Sequence, residues 1–195
     1  MAFCEVRELA NYLKISDASD TTSTYLRTYL EIAESAVAAH MGATSLTERS
    51  VSETAVVPRV RPTIQLLDGP VADASNITKV QVSGYDEMDL DDIKLPHYWV
   101  IMRDDDFPAN VNITVEYTAG WDEGDSATDG DLPTGIRHAI ILTAADLYQN
   151  PDKSIVSERI GDWAVTRSGA RVSDIVSQLP ERALMMLAPY VKPEF

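Results

Sequence analysis

The hydrophobic period of this chain changes twice, and this constrains its fold more than any other feature. Apolar residues recur at helical spacing through 5–14 and again through about 20–41, which predicts two opening helices. From about 51 to 117 they alternate with polar residues in short β-branched runs broken by proline, glycine and aspartate, a pattern typical of antiparallel strands. Helical spacing returns from about 132. The sequence therefore predicts an α+β fold: a helical core with an inserted antiparallel β subdomain.

The predicted helical core consists of two N-terminal helices, a third central helix and a short C-terminal helix. In the second helix one apolar stripe is formed by Leu26, Leu30, Ala33 and Val37. In the third helix, the buried face is expected to comprise Ile136, Ile140, Thr143, Ala144 and Leu147. Pro180 opens the last helix and Pro189 stops it. The corresponding division is 1–50 for the N-terminal helical part, 51–121 for the β-rich insertion, and 122–195 for the completion of the core, a polar loop and a C-terminal docking segment.

Acidic residues dominate the charge and are concentrated in one region. The chain of 195 residues has a formal net charge of −15, from 16 basic and 31 acidic residues. Between 84 and 131 there are 14 Asp or Glu against only Lys94 and Arg103. Such a surface repels phosphate, which argues against tight electrostatic binding of DNA. It suits either a solvated face or a surface that passes close to nucleic acid without adhering to it.

No sequence motif indicates an enzyme, a cofactor or a metal centre. The three histidines are far apart, no GxSxG turn is present, and the single Cys4 can form neither an internal disulfide nor a zinc site. The acidic runs at 86–92 and 122–131 do not fit a twelve-residue calcium loop, although a calcium-dependent β binding module stays open as an alternative. Without a signal peptide or a run of about 20 apolar residues, neither secretion nor membrane insertion is expected.

Three stretches of the chain resemble the head-tail adaptor (head-tail connector) proteins of long-tailed bacteriophages. The opening VRELANYLKISDASDTTSTYLRTYLEIAESAVAAHMG is similar to the paired entry helices of that family. NVNITVEYTAGW followed by LPTGIRHAIILTAADLY resembles its strand, Tyr-x-Ala-Gly-Trp turn and third helix. SERIGDWAVT, with LPERALMMLAPY after it, resembles the loop and terminal helix of longer members. The β region exceeds the compact core of the smallest adaptors and matches by position only.

The resemblance implies a non-enzymatic structural protein of the virion neck, assembled in the host cytoplasm. It would form a ring, commonly of twelve copies in the family, between the portal protein and the next neck or tail protein. Genomic double-stranded DNA would pass through this ring without tight binding. A different neck or tail-completion protein is the alternative within the same class.

Two groups of residues are the candidate interfaces. The C-terminal segment is apolar after a polar stretch, which suits docking onto a portal; its candidate residues are Leu184, Met185, Leu187 and Tyr190. Contacts between copies are expected from the preceding loop, with Ile160 and Trp163 for apolar burial and charged partners for ion pairs; the full set is Glu158, Arg159, Ile160, Trp163 and Arg167. Exposed ion pairs contribute only about 0–1 kcal/mol each, so apolar burial is expected to dominate.

Overall fold

The computed structural model describes residues 3–16, 20–85, 87–122, 131–150, 157–160, 163–166 and 179–194; residues 20–21, 157–160 and 163–166 are described by their backbone alone. The chain divides into two compact units. One comprises Met1–Met41 and Glu123–Val191, and the other comprises Gly42–Asp122 and Lys192–Phe195. The described elements are helices and antiparallel strands, so the α+β class predicted from the sequence is confirmed.

The elements of the described residues are as follows. The helices are α1 (Val6–Leu13), α2 (Asp20–Met41), α3 (Thr134–Gln149) and α4 (Glu181–Leu187). Short 3₁₀ helices span Ala74–Asn76, Leu90–Asp92 and Ala188–Tyr190. The strands are β1 (Arg49–Val57), β2 (Arg61–Gln65), β3 (Ile77–Val82), β4 (Ile93–His97), β5 (Val100–Phe107), β6 (Val111–Ala119), β7 (Ser157–Ile160) and β8 (Trp163–Thr166). None of the described helices combines the length and apolarity that a membrane-spanning segment needs.

Helix α3 is the centre of the helical unit, where it packs against α1, α2 and α4. Its predicted buried face is confirmed, and further residues beyond that face are buried because three helices surround it. The Thr143 hydroxyl donates to the Ala139 carbonyl at 2.8 Å, which satisfies its polar group inside the core. The buried residues of α3 are Ile136, Ala139, Ile140, Ile141, Thr143, Ala144, Ala145 and Leu147.

Helix α2 packs against α3 through small and aliphatic residues. The predicted stripe is buried along its whole length, and alanines on both helices allow the two backbones to approach closely. The Tyr29 ring meets the Tyr148 ring edge to face, with centroids 5.9 Å apart. The buried residues of α2 are Leu26, Leu30, Ala33, Ala36, Val37, Ala38 and Met41.

The β unit contains two three-stranded antiparallel sheets, with strand orders β1-β6-β3 and β2-β5-β4. Strand β6 is the central strand of the first sheet, and it alternates as predicted: Ile113, Val115 and Tyr117 are buried between more exposed neighbours. Both sheets contribute to one apolar cluster, because alternate residues of every strand face it. The fully buried members of that cluster include Val57, Ile64, Leu66, Val80, Val82, Ile101, Phe107 and Ile113.

Candidate interaction surfaces

The C-terminal helix α4 has one buried face and one exposed face. Leu179, Ala183 and Leu187 follow one another at four-residue spacing and are buried, and α4 packs against α3. On the other side of the helix Met185 is 72% exposed and Met186 is 37% exposed. Unbranched methionine side chains adapt to the shape of an apolar partner. Helix α4 is therefore fixed to its own unit while it presents two flexible apolar side chains to solvent.

The four residues predicted for portal docking have different surroundings. Met185 is exposed, Leu184 and Tyr190 are half-buried, and Leu187 has no exposed surface. The Tyr190 ring lies over the start of α3, where a Cβ on Gly135 would be 3.6 Å from the tyrosine hydroxyl. In this structure Leu187 contributes to the core rather than to the surface. The docking role of all four residues stays a prediction.

The residues predicted for contacts between copies lie in a polar segment described only in part. Glu158, Arg159 and Ile160 belong to β7 and Trp163 belongs to β8, whereas Arg167 lies outside the described residues. The antiparallel register places Ile160 opposite Trp163 and Arg159 opposite Ala164. Positions paired across antiparallel strands share one face of a hairpin. The two apolar candidates, 160 and 163, are therefore on the same face of the β7–β8 hairpin.

The last residues of the chain pack on the β unit, a position that the sequence analysis did not anticipate. The Lys192 ammonium donates to the Leu67 carbonyl at 2.8 Å, and the Gln65 side-chain amide donates to the Pro193 carbonyl. No local sequence pattern signals such contacts, because the bonded residues are more than 120 positions apart: 125 for Lys192 and Leu67, and 128 for Gln65 and Pro193.

A cleft with acidic side chains opens on the β unit; we call it the acidic cleft. It has a volume of about 600 Å³, within the range of pockets that bind small ligands or side chains. Val60 and Tyr85, each 60% exposed, add apolar surface to it. The acidic region is evident in the sequence, whereas the cleft forms only in the folded chain. The lining residues are Val60, Tyr85, Glu87, Met88, Asp89, Arg103, Asp105, Asp106, Phe107 and Pro108.

Arg103 is the only basic side chain in that lining. Its Nη1 donates to the Asp106 carbonyl at 2.9 Å, and its Nη2 lies 3.8 Å from the Asp105 carboxylate. The Nε atom of Arg103 is buried and has no hydrogen-bond partner among the described residues. The guanidinium is therefore held against β5, and it offsets only part of the negative charge around the cleft.

Among the described residues, Cys4 and Tyr117 have the most strongly shifted pKa values. Both shifts fit a structural role and not that of an activated catalytic group. Burial, reinforced by the carboxylates of Glu34 and Glu8, raises the pKa of the Cys4 thiol to about 12. A nucleophilic cysteine needs the opposite shift. Burial and the neighbouring Glu53 carboxylate raise the pKa of Tyr117 well above its ordinary value. The Tyr117 hydroxyl donates to the Glu53 carboxylate at 3.0 Å and also contacts the Asp68 carbonyl.

The two acidic runs, 86–92 and 122–131, are rich in carboxylates of the kind that can bind a metal ion. Within the described part of the chain, no three His, Cys, Asp or Glu side chains converge in a way that could hold a metal ion. In the first run the Asp89 carboxylate instead accepts a hydrogen bond from the Asp91 amide at 3.0 Å and caps the short helix Leu90–Asp92. Most of the second run, 123–130, lies outside the described residues.

No protein-family model matches this chain, and no curated protein matches it. Its fold is similar to that of a chain in the neck of an empty GTA particle computed with C6 symmetry: TM-score 0.50, 16% identity, 98% of this chain and 91% of that chain covered. Two further matches are a chain in the virion of a native gene transfer agent (GTA) particle and a chain in the neck of a native GTA particle computed with C12 symmetry. The virion chain has a TM-score of 0.47 and 18% identity, with 90% of this chain and 88% of that chain covered. The C12 neck chain has a TM-score of 0.45 and 15% identity, with 97% of this chain and 89% of that chain covered. At these identities the similarity concerns the fold.

Proposed function

We propose that this chain is a structural, non-enzymatic neck protein of a phage-like particle, located in the virion and assembled in the cytoplasm of the host. Copies of it form a ring between the portal and the tail, extend the DNA channel and provide the platform for tail attachment. The observation that carries the proposal is the fold similarity to a neck chain over 98% of this chain. The motif resemblance to head-tail adaptors, read from the residues alone, supports the same role.

The symmetry of the particle neck that contains a similar fold supports a ring. The first similar fold belongs to a neck computed with C6 symmetry, and a ring of six or twelve copies is compatible with that rotation. A closed ring of more than two copies needs a heterologous interface, in which two different surfaces of the chain meet. The β7–β8 hairpin, with Ile160, Trp163 and the charged Glu158 and Arg159, together with Arg167, supplies one of these surfaces in our proposal.

The portal contact is assigned to helix α4. Met185 is its most exposed apolar side chain, and the buried Leu187 beneath it keeps the helix on its own unit. Exposed methionines suit docking into an apolar groove of a partner. Leu184 and Tyr190 flank this contact with partly buried side chains and fix its position.

The charge of the chain is compatible with a DNA channel. With a net charge of −15, the chain repels the phosphate backbone, so DNA passes a ring of such copies without being held. Long, tight contacts of lysine and arginine with phosphate would retard ejection of the genome.

The role in the particle is tested by deleting the gene from the source phage or prophage and examining the lysate by electron microscopy. Accumulation of DNA-filled heads beside unattached tails, reversed by the intact gene, is the expected result. Normal tailed particles would overturn the neck assignment.

The portal contact is tested by point variants, because a deletion of 179–195 would remove the buried Leu179, Ala183 and Leu187 and unfold the helical unit. Met185→Asp places a charge on the exposed face of α4 and is expected to abolish complementation while leaving the thermal midpoint unchanged. Tyr25→Asp, at a large side chain of α2 that is also more than half exposed, is the matched control and should complement. Full complementation by Met185→Asp would show that α4 is not the element that docks onto the portal.

A further inference from the structure

The acidic cleft of the β unit combines apolar surface with unbalanced negative charge. Met88, Phe107 and Pro108 line it, and Val60 and Tyr85 leave more than half of their surface in solvent. Apolar side chains that are exposed together as one patch are typical of sites that another polypeptide covers. The cleft therefore offers apolar surface against which a side chain of a partner can be buried.

The charge of the lining limits the kind of occupant. Glu87, Asp89, Asp105 and Asp106 contribute four negative charges and Arg103 contributes one positive charge, which leaves −3. Arg103 is also engaged with the Asp106 carbonyl and the Asp105 carboxylate, so it is not available to bind an acidic ligand. A segment that carries both basic and apolar side chains complements the cleft.

This chain itself contains such a segment. Residues 153–171 include four basic residues, Lys153, Arg159, Arg167 and Arg171, against two acidic ones, Glu158 and Asp162, which gives +2 in a chain of net charge −15. The same segment contains Ile160 and Trp163, on one face of the β7–β8 hairpin. The other basic stretch, 54–67, is folded into β1 and β2, and its Val60 already lines the cleft.

We propose that the acidic cleft of one copy binds segment 153–171 of a second copy, with Trp163 as the apolar anchor and the flanking arginines against the acidic rim. Cleft and segment are different surfaces, so each copy can engage one neighbour through its cleft and another through its segment. Repetition of that contact generates a ring. The inference deepens the proposed function, because it names the surfaces that join the copies of the neck ring.

The test measures binding of a fluorescein-labelled peptide of sequence 153–171 to the full chain by fluorescence anisotropy at low salt. Saturable binding is expected, at least tenfold weaker for Glu87→Lys/Asp105→Lys, two exposed residues of the lining. Glu31→Lys/Glu48→Lys makes the same change in net charge at exposed residues outside the lining and should bind as the unmodified chain does. A peptide with Trp163→Ala should also bind at least tenfold more weakly. The thermal midpoint of each variant checks folding.

Three results would overturn the inference: no peptide binding, equal binding of a scrambled peptide of the same composition, or equal weakening by the control pair. Failure here is distinguishable from failure of the neck assignment. Unattached tails after gene deletion, together with no peptide binding, would leave the neck role intact and assign the cleft to another occupant. If gene deletion gave normal tailed particles but the peptide still bound specifically, the neck assignment would fail. The contact between copies would then be retained as part of a different assembly.

Discussion

The Nζ atom of Lys192 lies 5.2 Å from the centroid of the Trp99 ring. Trp99 has no exposed surface, and the Lys192 ammonium also donates to the Leu67 carbonyl. The end of the chain is therefore part of the β unit, although all residues from Glu123 to Val191 belong to the helical one.

Replacement of Lys192 by methionine is expected to destabilise the β unit. The aliphatic part of the side chain is retained, but the cation–π contact and the hydrogen bond to Leu67 are lost, which costs about 1–2 kcal/mol in the free energy of unfolding. Urea denaturation followed by tryptophan fluorescence measures the change. Lys192→Arg retains the charge and should restore at least half of the loss. Equal stability of Lys192→Met and the unmodified chain would show that the tail contributes nothing.

Alanine at Gly120 should be far more destabilising than alanine at Gly84. Both glycines have positive φ, +91° and +85°, so each substitution carries a backbone penalty of about 1–2 kcal/mol. At Gly120 the new Cβ would also collide with the Thr47 carbonyl and lie 2.7 Å from the Leu46 carbonyl oxygen, whereas nothing lies within 4 Å at Gly84. Thermal unfolding compares the two. A Gly120→Ala variant as stable as Gly84→Ala would contradict the close approach of the chain at Gly120.

The contribution of Tyr117 to stability should depend on pH above 10. Burial raises the pKa of Tyr117 in the folded chain above its ordinary value of 10.0, so the stabilisation is complete below pH 10 and is lost as pH rises above it. Tyr117→Phe loses the hydrogen bonds to Glu53 and Asp68, at a cost of about 1–3 kcal/mol at pH 7. The difference between the two proteins should then shrink by about 1.4 kcal/mol per pH unit above 10. Urea titrations from pH 7 to 11 measure it, and a constant difference would disprove the linkage.

The Cys4 thiol should be unreactive in the folded protein. It is buried and its pKa is raised to about 12, so both access and thiolate formation are suppressed. A disulfide exchange reagent such as DTNB at pH 8 is expected to label Cys4 only at the rate at which the helical unit opens, and stoichiometrically in denaturant. Tyr12→Cys in a Cys4→Ala background places the thiol at an exposed site of α1 and should react within seconds. Rapid labelling of Cys4 would show that the N-terminal segment is not packed as described.

The sequence by itself determined the elements whose signal is local. The stripe of α2, the buried face of α3 and the alternation on β6 were all predicted, because a helix or a strand repeats its environment at a fixed spacing along the chain. The α+β class follows from these periods alone.

Only the tertiary structure decided the features that depend on contacts between residues far apart in the chain. Tyr25 is an apolar residue of α2 and is nevertheless 60% exposed, because none of the described elements of its unit covers it. Leu187 and Met185 are both apolar residues of α4, but packing against α3 buries the first and leaves the second in solvent. The strand orders, the acidic cleft and the contact of Lys192 with Trp99 likewise join residues far apart in the chain. Hydrophobic spacing specifies which side of an element is apolar, whereas the surface that covers that side is supplied by another part of the fold.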